Sequence, residues 1–174
     1  MIETHTEIFI TGQGLVSNNE LVFTYVSFWS DDTTWGGEFA PMEGESIWIP
    51  TGLNLLVDID VSPEINAIIC EGSLLFVPDA DPNHHRSFDA NYIFVSGGKM
   101  EVGTEDFPYT SKITITMHSS IDDPYLPIYG NKVIGVRYGT LDMHGIERNP
   151  VWTYLEQTSE IGNTVLTLAE PVDW

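Results

Sequence analysis

Three segments of this chain share one pattern: Ile69-Cys70-Glu71-Gly72-Ser73-Leu74-Leu75-Phe76, Val95-Ser96-Gly97-Gly98-Lys99-Met100-Glu101-Val102 and Val136-Arg137-Tyr138-Gly139-Thr140-Leu141-Asp142-Met143. In each, an aliphatic residue stands three positions before a glycine, and apolar residues follow that glycine at the second and fourth positions. Ile49 before Gly52 is an earlier, poorer copy, and the four glycines are spaced by 20, 26 and 41 residues. The longest interval contains a further alternating run, Ile113–Met117. A unit of 20–26 residues is the size of one β-helix rung rather than a propeller blade. The aliphatic residues would point into a stack of rungs, and Gly72, Gly98 and Gly139 are expected at equivalent positive-φ corners. The expected fold is all-β, a short right-handed parallel β-helix (β-solenoid) with capped ends.

The rest of the chain agrees with that class. Short apolar runs recur at Ile8–Ile10, Leu21–Phe28, Ile47–Ile49, Leu53–Ile59, Ile65–Cys70, Leu74–Val77, Tyr92–Val95, Val133–Val136, Val151–Leu155 and Val165–Leu168, punctuated by 15 Gly and 10 Pro. One helical turn is expected near Ser87–Asn91. A β-sandwich would also give many short strands, but it does not require glycine at a fixed offset from inward aliphatics. Trp29 and Trp35 are expected to cover the first rung, because an open solenoid end invites edge-to-edge pairing.

Charge excludes whole classes of partner. Six Lys and Arg face 26 Asp and Glu, a net charge of −20, and residues 1–85 hold 14 acids with no Lys or Arg. Phosphate binding needs Lys and Arg to displace counterions, so nucleic acid is not a partner, and membrane contact would come only through a parent protein. Such a surface suits solubility or capture of cations, chiefly Ca²⁺. The single cysteine, Cys70, cannot form an internal disulfide and reads as a buried structural thiol. Met1–Thr6 is polar without a leader pattern, so a secreted parent would make this chain a mature or internal piece.

Two polar clusters are candidate binding sites. In Asp79-Ala80-Asp81-Pro82-Asn83-His84-His85-Arg86-Ser87-Phe88-Asp89, the carboxylates of Asp79, Asp81 and Asp89 could supply the hard oxygens that Ca²⁺ takes, with His84, His85 and Arg86 as further contacts. The spacing lacks the glycine and terminal glutamate of a helical calcium loop. In Ile121–Tyr129, the acids Asp122 and Asp123 beside Tyr125 resemble a sugar-stacking surface. His118 and His144 each end a strand and are expected to bond a turn rather than to act in catalysis. No paired carboxylates are spaced as a glycoside hydrolase requires, and no catalytic residue is assigned.

Longer motifs point to a family. The opening Trp29-Ser30-Asp31-Asp32-Thr33-Thr34-Trp35-Gly36-Gly37 is followed by Glu71-Gly72-Ser73-Leu74 and by Gly97-Gly98-Lys99-Met100-Glu101-Val102-Gly103-Thr104-Glu105. Then come Ile113-Thr114-Ile115-Thr116-Met117-His118, Gly130-Asn131-Lys132-Val133-Ile134-Gly135-Val136 and Gly139-Thr140-Leu141-Asp142-Met143-His144-Gly145. Together these resemble the eight-glycine (G-eight) domain of the fibrocystin family, over residues 28–174, with Gly145 among its structural glycines. Residues 1–27 lie outside the resemblance and are expected to be N-terminal strands or the tail of a preceding module. The resemblance implies an extracellular or cell-surface location in a much larger protein, with neighbouring domains and a β-helix that continues past residue 174. It implies a non-catalytic module contacting a glycan or protein. Two alternatives stand beside this: part of a surface hydrolase that cleaves hyaluronan or another polysaccharide, as some of the family's relatives do, and a self-associating building block of an extracellular filament.

Overall fold

The computed structural model describes residues 25–126 and 128–173. The expected strand at Ile8–Ile10 and the start of Leu21–Phe28 lie outside the described residues. Eleven strands follow: β1 (Ser27–Phe28), β2 (Ser46–Ile49), β3 (Asn54–Leu56), β4 (Ala67–Cys70), β5 (Ser73–Phe76), β6 (His85–Ala90), β7 (Tyr92–Ser96), β8 (Lys99–Val102), β9 (Lys112–Met117), β10 (Val133–Arg137) and β11 (Thr140–Met143). Among the described residues the helix is one short 3-10 turn, Asp32–Trp35, capped by Asp31, whose carboxylate accepts from the Thr33 amide.

These strands form three open parallel sheets, in the orders β1-β3-β5-β8-β11, β10-β7-β4-β2 and β6-β9. From β4 onward the chain cycles through the second, first and third of these sheets without a break, whereas the earlier return from β3 to β4 has no strand in the third. Residues 57–66 have no strand of their own, but isolated parallel bridges join Val61 to Ser87 and Ile65 to Ala90 and extend the third sheet.

Register explains the repeat with one correction: Ile69, expected to point inward, pairs with Trp48 and Phe94 and packs on the outer cluster, and Cys70 takes the inward place. Ile47, Ile68, Ile93 and Ile134 are successive partners in one sheet, as are Ile49, Cys70, Val95 and Val136. Leu55, Leu74, Met100 and Leu141 form the matching row in the next sheet. Through β8 these rows fill one core together with Trp29, Ile65, Phe88 and Tyr109, with Ile134 packed against it, while Val136 and Leu141 on the last two strands are exposed. Because a strand alternates faces, keeping this register keeps every inward aliphatic in the same column. Burying a residue such as Leu74 or Ile93 stabilises the fold by roughly 1.5–3 kcal/mol each. Trp29 is 1% exposed and packs edge-on against both Trp35 and Phe88, at 5.4 and 5.7 Å between ring centres. Cys70 is buried and free, and burial pushes its thiol pKa up.

The structure corrects three further expectations. Gly72, Gly98 and Gly139 do sit in equivalent links between two sheets, but none has a positive φ. The left-handed corner residues are Gly52, Gly97 and Tyr138, at φ of 89°, 77° and 53°. The stretch Ser87–Asn91 is not a helical turn, because His85–Ala90 is strand β6, paired along its length with β9. Arg86, Phe88 and Ala90 take the inward side of that strand, so its polar letters concealed a two-residue period. The runs Val151–Leu155 and Val165–Leu168 form no strands, only an antiparallel bridge between Leu155 and Leu168, and most of their apolar side chains are exposed.

Candidate functional site: a corner cleft on the outer face

The links that enter β4 and β7 each carry an asparagine immediately before the strand, Asn66 and Asn91. The Asn66 amide donates to the Glu45 carbonyl at 2.8 Å, the Asn91 amide to the Ile65 carbonyl at 2.8 Å, and the Lys132 amide to the Asn91 carbonyl at 3.1 Å. Backbone pairing therefore stacks these positions into one corner column. The Asn66 side chain reaches out of the column and donates to Ser46 Oγ at 3.2 Å.

Over this corner lies the segment that follows β9. Ser119 is buried and donates to the Asn91 carbonyl at 3.1 Å, while Asn131 Nδ2 donates to the carbonyls of Ser120 and Asp123 at 2.7 and 3.0 Å. Leu126 packs onto an outer apolar cluster of Ala67, Tyr92 and Phe94. Tyr129 closes the same cluster, edge-on to Phe94 at 5.6 Å and directly over Gly135, where a Cβ would strike its ring. The result is a cleft of about 320 Å³, walled by Glu64, Asn66, Asn91, His118 and Asp123 and floored by Pro124 and Leu126.

His118 links this cleft to the strand behind it. Its Nε2 lies 2.6 Å from Asp89 Oδ1 and its Nδ1 3.9 Å from Glu64 Oε2. Burial works against an ionised Asp89. Hydrogen bonds from His118 and Ser87, with the charge of His118, outweigh it and hold the carboxyl below its ordinary pKa. The cleft thus offers amides, a hydroxyl and carboxylates around a small apolar floor, a set that accepts and donates hydrogen bonds to a neutral polyol.

The residues singled out in the sequence divide between places. Asp89 and Asp123 meet at the cleft, Asp89 through His118. Asp122 and Tyr125 lie in the covering segment but do not line the cleft, and both are exposed. Asp79, Asp81 and His84 form a separate turn, where the Asp81 amide donates to Asp79 and the Asn83 amide to Asp81, both at 2.9 Å. The hydrogen bond from the Asp81 amide holds the Asp79 carboxyl below its ordinary pKa. Arg86 donates to the Val77 carbonyl at 2.7 Å and pairs with Asp79 at 3.4 Å. His84 pairs with Asp60 at 2.9 Å, and His85 with Thr114 at 2.7 Å.

The residues do not fit a calcium centre built from Asp79, Asp81 and Asp89. Strand β6 runs about 13 Å from His85 to Asp89, and Asp89 is committed to His118 and Ser87. Among the described residues no three His, Cys, Asp or Glu side chains gather as a metal-holding group. Sequence reasoning missed Glu64, Asn66 and Asn91. The available signal was an asparagine directly before each of two register-matched strands.

A model of the G8 domain matches residues 34–156. The chain belongs to the G8 domain family. Human fibrocystin-L is 34% identical to it over 167 residues, 96% of this chain, and mouse fibrocystin is 33% identical over 153 residues, 87% of this chain. Dictyostelium discoideum protein rliB is 29% identical over 154 residues, 84% of this chain and 13% of that protein. This G8 domain spans about 4% of the length of the two fibrocystin-family relatives. Among its described residues no helix is long and apolar enough to cross a membrane.

Proposed function

We propose that this G8 domain is a non-catalytic scaffold and ligand-contact module of a large extracellular or cell-surface protein. In this reading the three sheets, from Ser27 to Met143, are the faces of a right-handed parallel β-helix within a domain of residues 28–174, to which residues 1–27 lead from a preceding module. The parallel pairing of every named strand supports it, because crossovers between parallel strands of one sheet are right-handed in roughly 98% of cases. The short share of the relatives' length supports a place among neighbouring domains. Extracellular placement rests on the resemblance to surface proteins.

The observation that carries the ligand role is the corner cleft. The interior is filled by aliphatic columns, so polar recognition is left to the outside, and there Asn91, His118 and Asp123 converge around a hollow. With a net charge of −20 and acids at its rim, the cleft suits a neutral glycan. Titration with N-acetylglucosamine, followed by amide NMR, is expected to perturb Asn66, Asn91, His118 and Asp123 together, and Asn91→Ala is expected to abolish the response. Shifts scattered over the surface, or none at all, would sink the ligand role.

A further inference from the structure

Trp48 stands on the outer face of β2, 63% exposed, while its neighbours Ile47 and Ile49 are buried. The indole is fixed in place. Its Nε1 donates to Glu71 Oε2 at 3.2 Å, and Ile69 is its register partner on β4. A large aromatic with most of its surface in water, and with its polar edge already satisfied, is a ready stacking surface.

Its position relative to the cleft is set by the strand. Ser46 lies two residues back on the same outer face, about 6.6 Å away, and it accepts the hydrogen bond from Asn66, a wall of the cleft. A ligand of two or more rings that leaves the cleft past Ser46 and follows β2 would reach Trp48.

We propose that Trp48 is the platform of a second subsite, which takes one ring of a neutral β-linked oligosaccharide whose other end sits in the cleft; this rests on the cleft's glycan reading. Equatorially substituted pyranose rings present a flat face of C–H groups, which stacks on an indole. Glu71 beside the ring accepts sugar hydroxyls. Glu64 in the cleft wall and Glu71 beside the indole disfavour uronic or sulfated sugars.

The test is calorimetric titration of the whole chain with chito-oligosaccharides of one to four rings, with tryptophan emission recorded in parallel. Affinity is expected to rise from one ring to two or more. An emission change should accompany only the longer ligands and be absent in Trp48→Phe. Trp48→Ala should weaken four-ring binding about tenfold and leave one-ring binding unchanged. Because the side chain is exposed, unaltered thermal melting will confirm that the variant folds. If Asn91→Ala abolishes binding while Trp48→Ala leaves four-ring affinity intact, the platform is refuted and the cleft stands. If no chain length binds to the unaltered protein, the cleft reading fails and the platform with it.

Discussion

Gly139 rests directly on Gly98: a Cβ at position 139 would lie 2.6 Å from the Gly98 carbonyl oxygen, the same oxygen that accepts from the Thr140 amide at 2.9 Å. Gly98 meets the Gly72 carbonyl more closely still, and that oxygen accepts from the Lys99 amide at 2.8 Å. Glycine is required here by the approach of successive backbones, not by a left-handed corner.

Gly98→Ala should accordingly destabilise the fold by about 2 kcal/mol or more, since the obstacle is backbone that cannot swing aside. Gly145→Ala, with open space around its Cβ position, should change stability by less than about 0.5 kcal/mol. Urea melts of both variants check this, and equal losses would contradict the stacked column.

The inward rows were legible because strand alternation on either side of a recurring glycine leaves a trace, as in Cys70, Leu74 and Phe76 around Gly72. Strand β6 was not, because Arg86 places its aliphatic stem inward and its guanidinium on Val77 and Asp79. The reason for Gly98 was also hidden, since a glycine letter does not say whether φ or a neighbour demands it. The cleft was half legible. Asp89 and Asp123 stand in conspicuous acidic clusters, but what unites them is His118 and an asparagine column set by long-range register, which no local window contains.

Asp89 should shape the acid limb of stability. Its carboxyl titrates below the unfolded value of about 3.9, so it stabilises the fold above that pH and the contribution is lost as pH falls through the folded-state value. Asp89→Asn is expected to lower stability near neutrality and to flatten the loss below about pH 4. Urea melts across the acid range decide it. A variant curve parallel to that of the unaltered protein would show that the His118 contact contributes nothing.

Calcium should leave the protein unmoved. The Asp79 and Asp81 carboxylates are occupied by amides of their own turn, and Asp89 is held elsewhere by His118. The melting temperature is expected to be the same with millimolar calcium as with chelator. A calcium-dependent rise that disappears in the double variant Asp81→Asn, Asp89→Asn would reverse this.

Hyaluronan offers the sharpest contrast with the neutral ligand proposed for the cleft. It is a polyanion, and a chain of net charge −20 can hold it only if the few cations form a continuous track. The cations are scattered instead. Arg86 is turned inward onto Val77 and Asp79, Lys99 is bound to Glu101 and lies 3.7 Å from Asp142, and Arg148 donates to the Asp173 carbonyl. Lys99, Lys112 and Arg137 belong to β8, β9 and β10, one in each of the three sheets, and Arg137 lies over the Tyr138 ring. The purified chain is therefore expected to bind high-molecular-weight hyaluronan weakly at best, with any binding lost on adding salt as screening shortens the electrostatic range. Gel sizing of the polymer after incubation should show no shortening, with or without calcium. Depolymerisation by this chain alone would overturn the scaffold reading and make the Asp89–His118–Glu64 corner the first place to look for the acid and base.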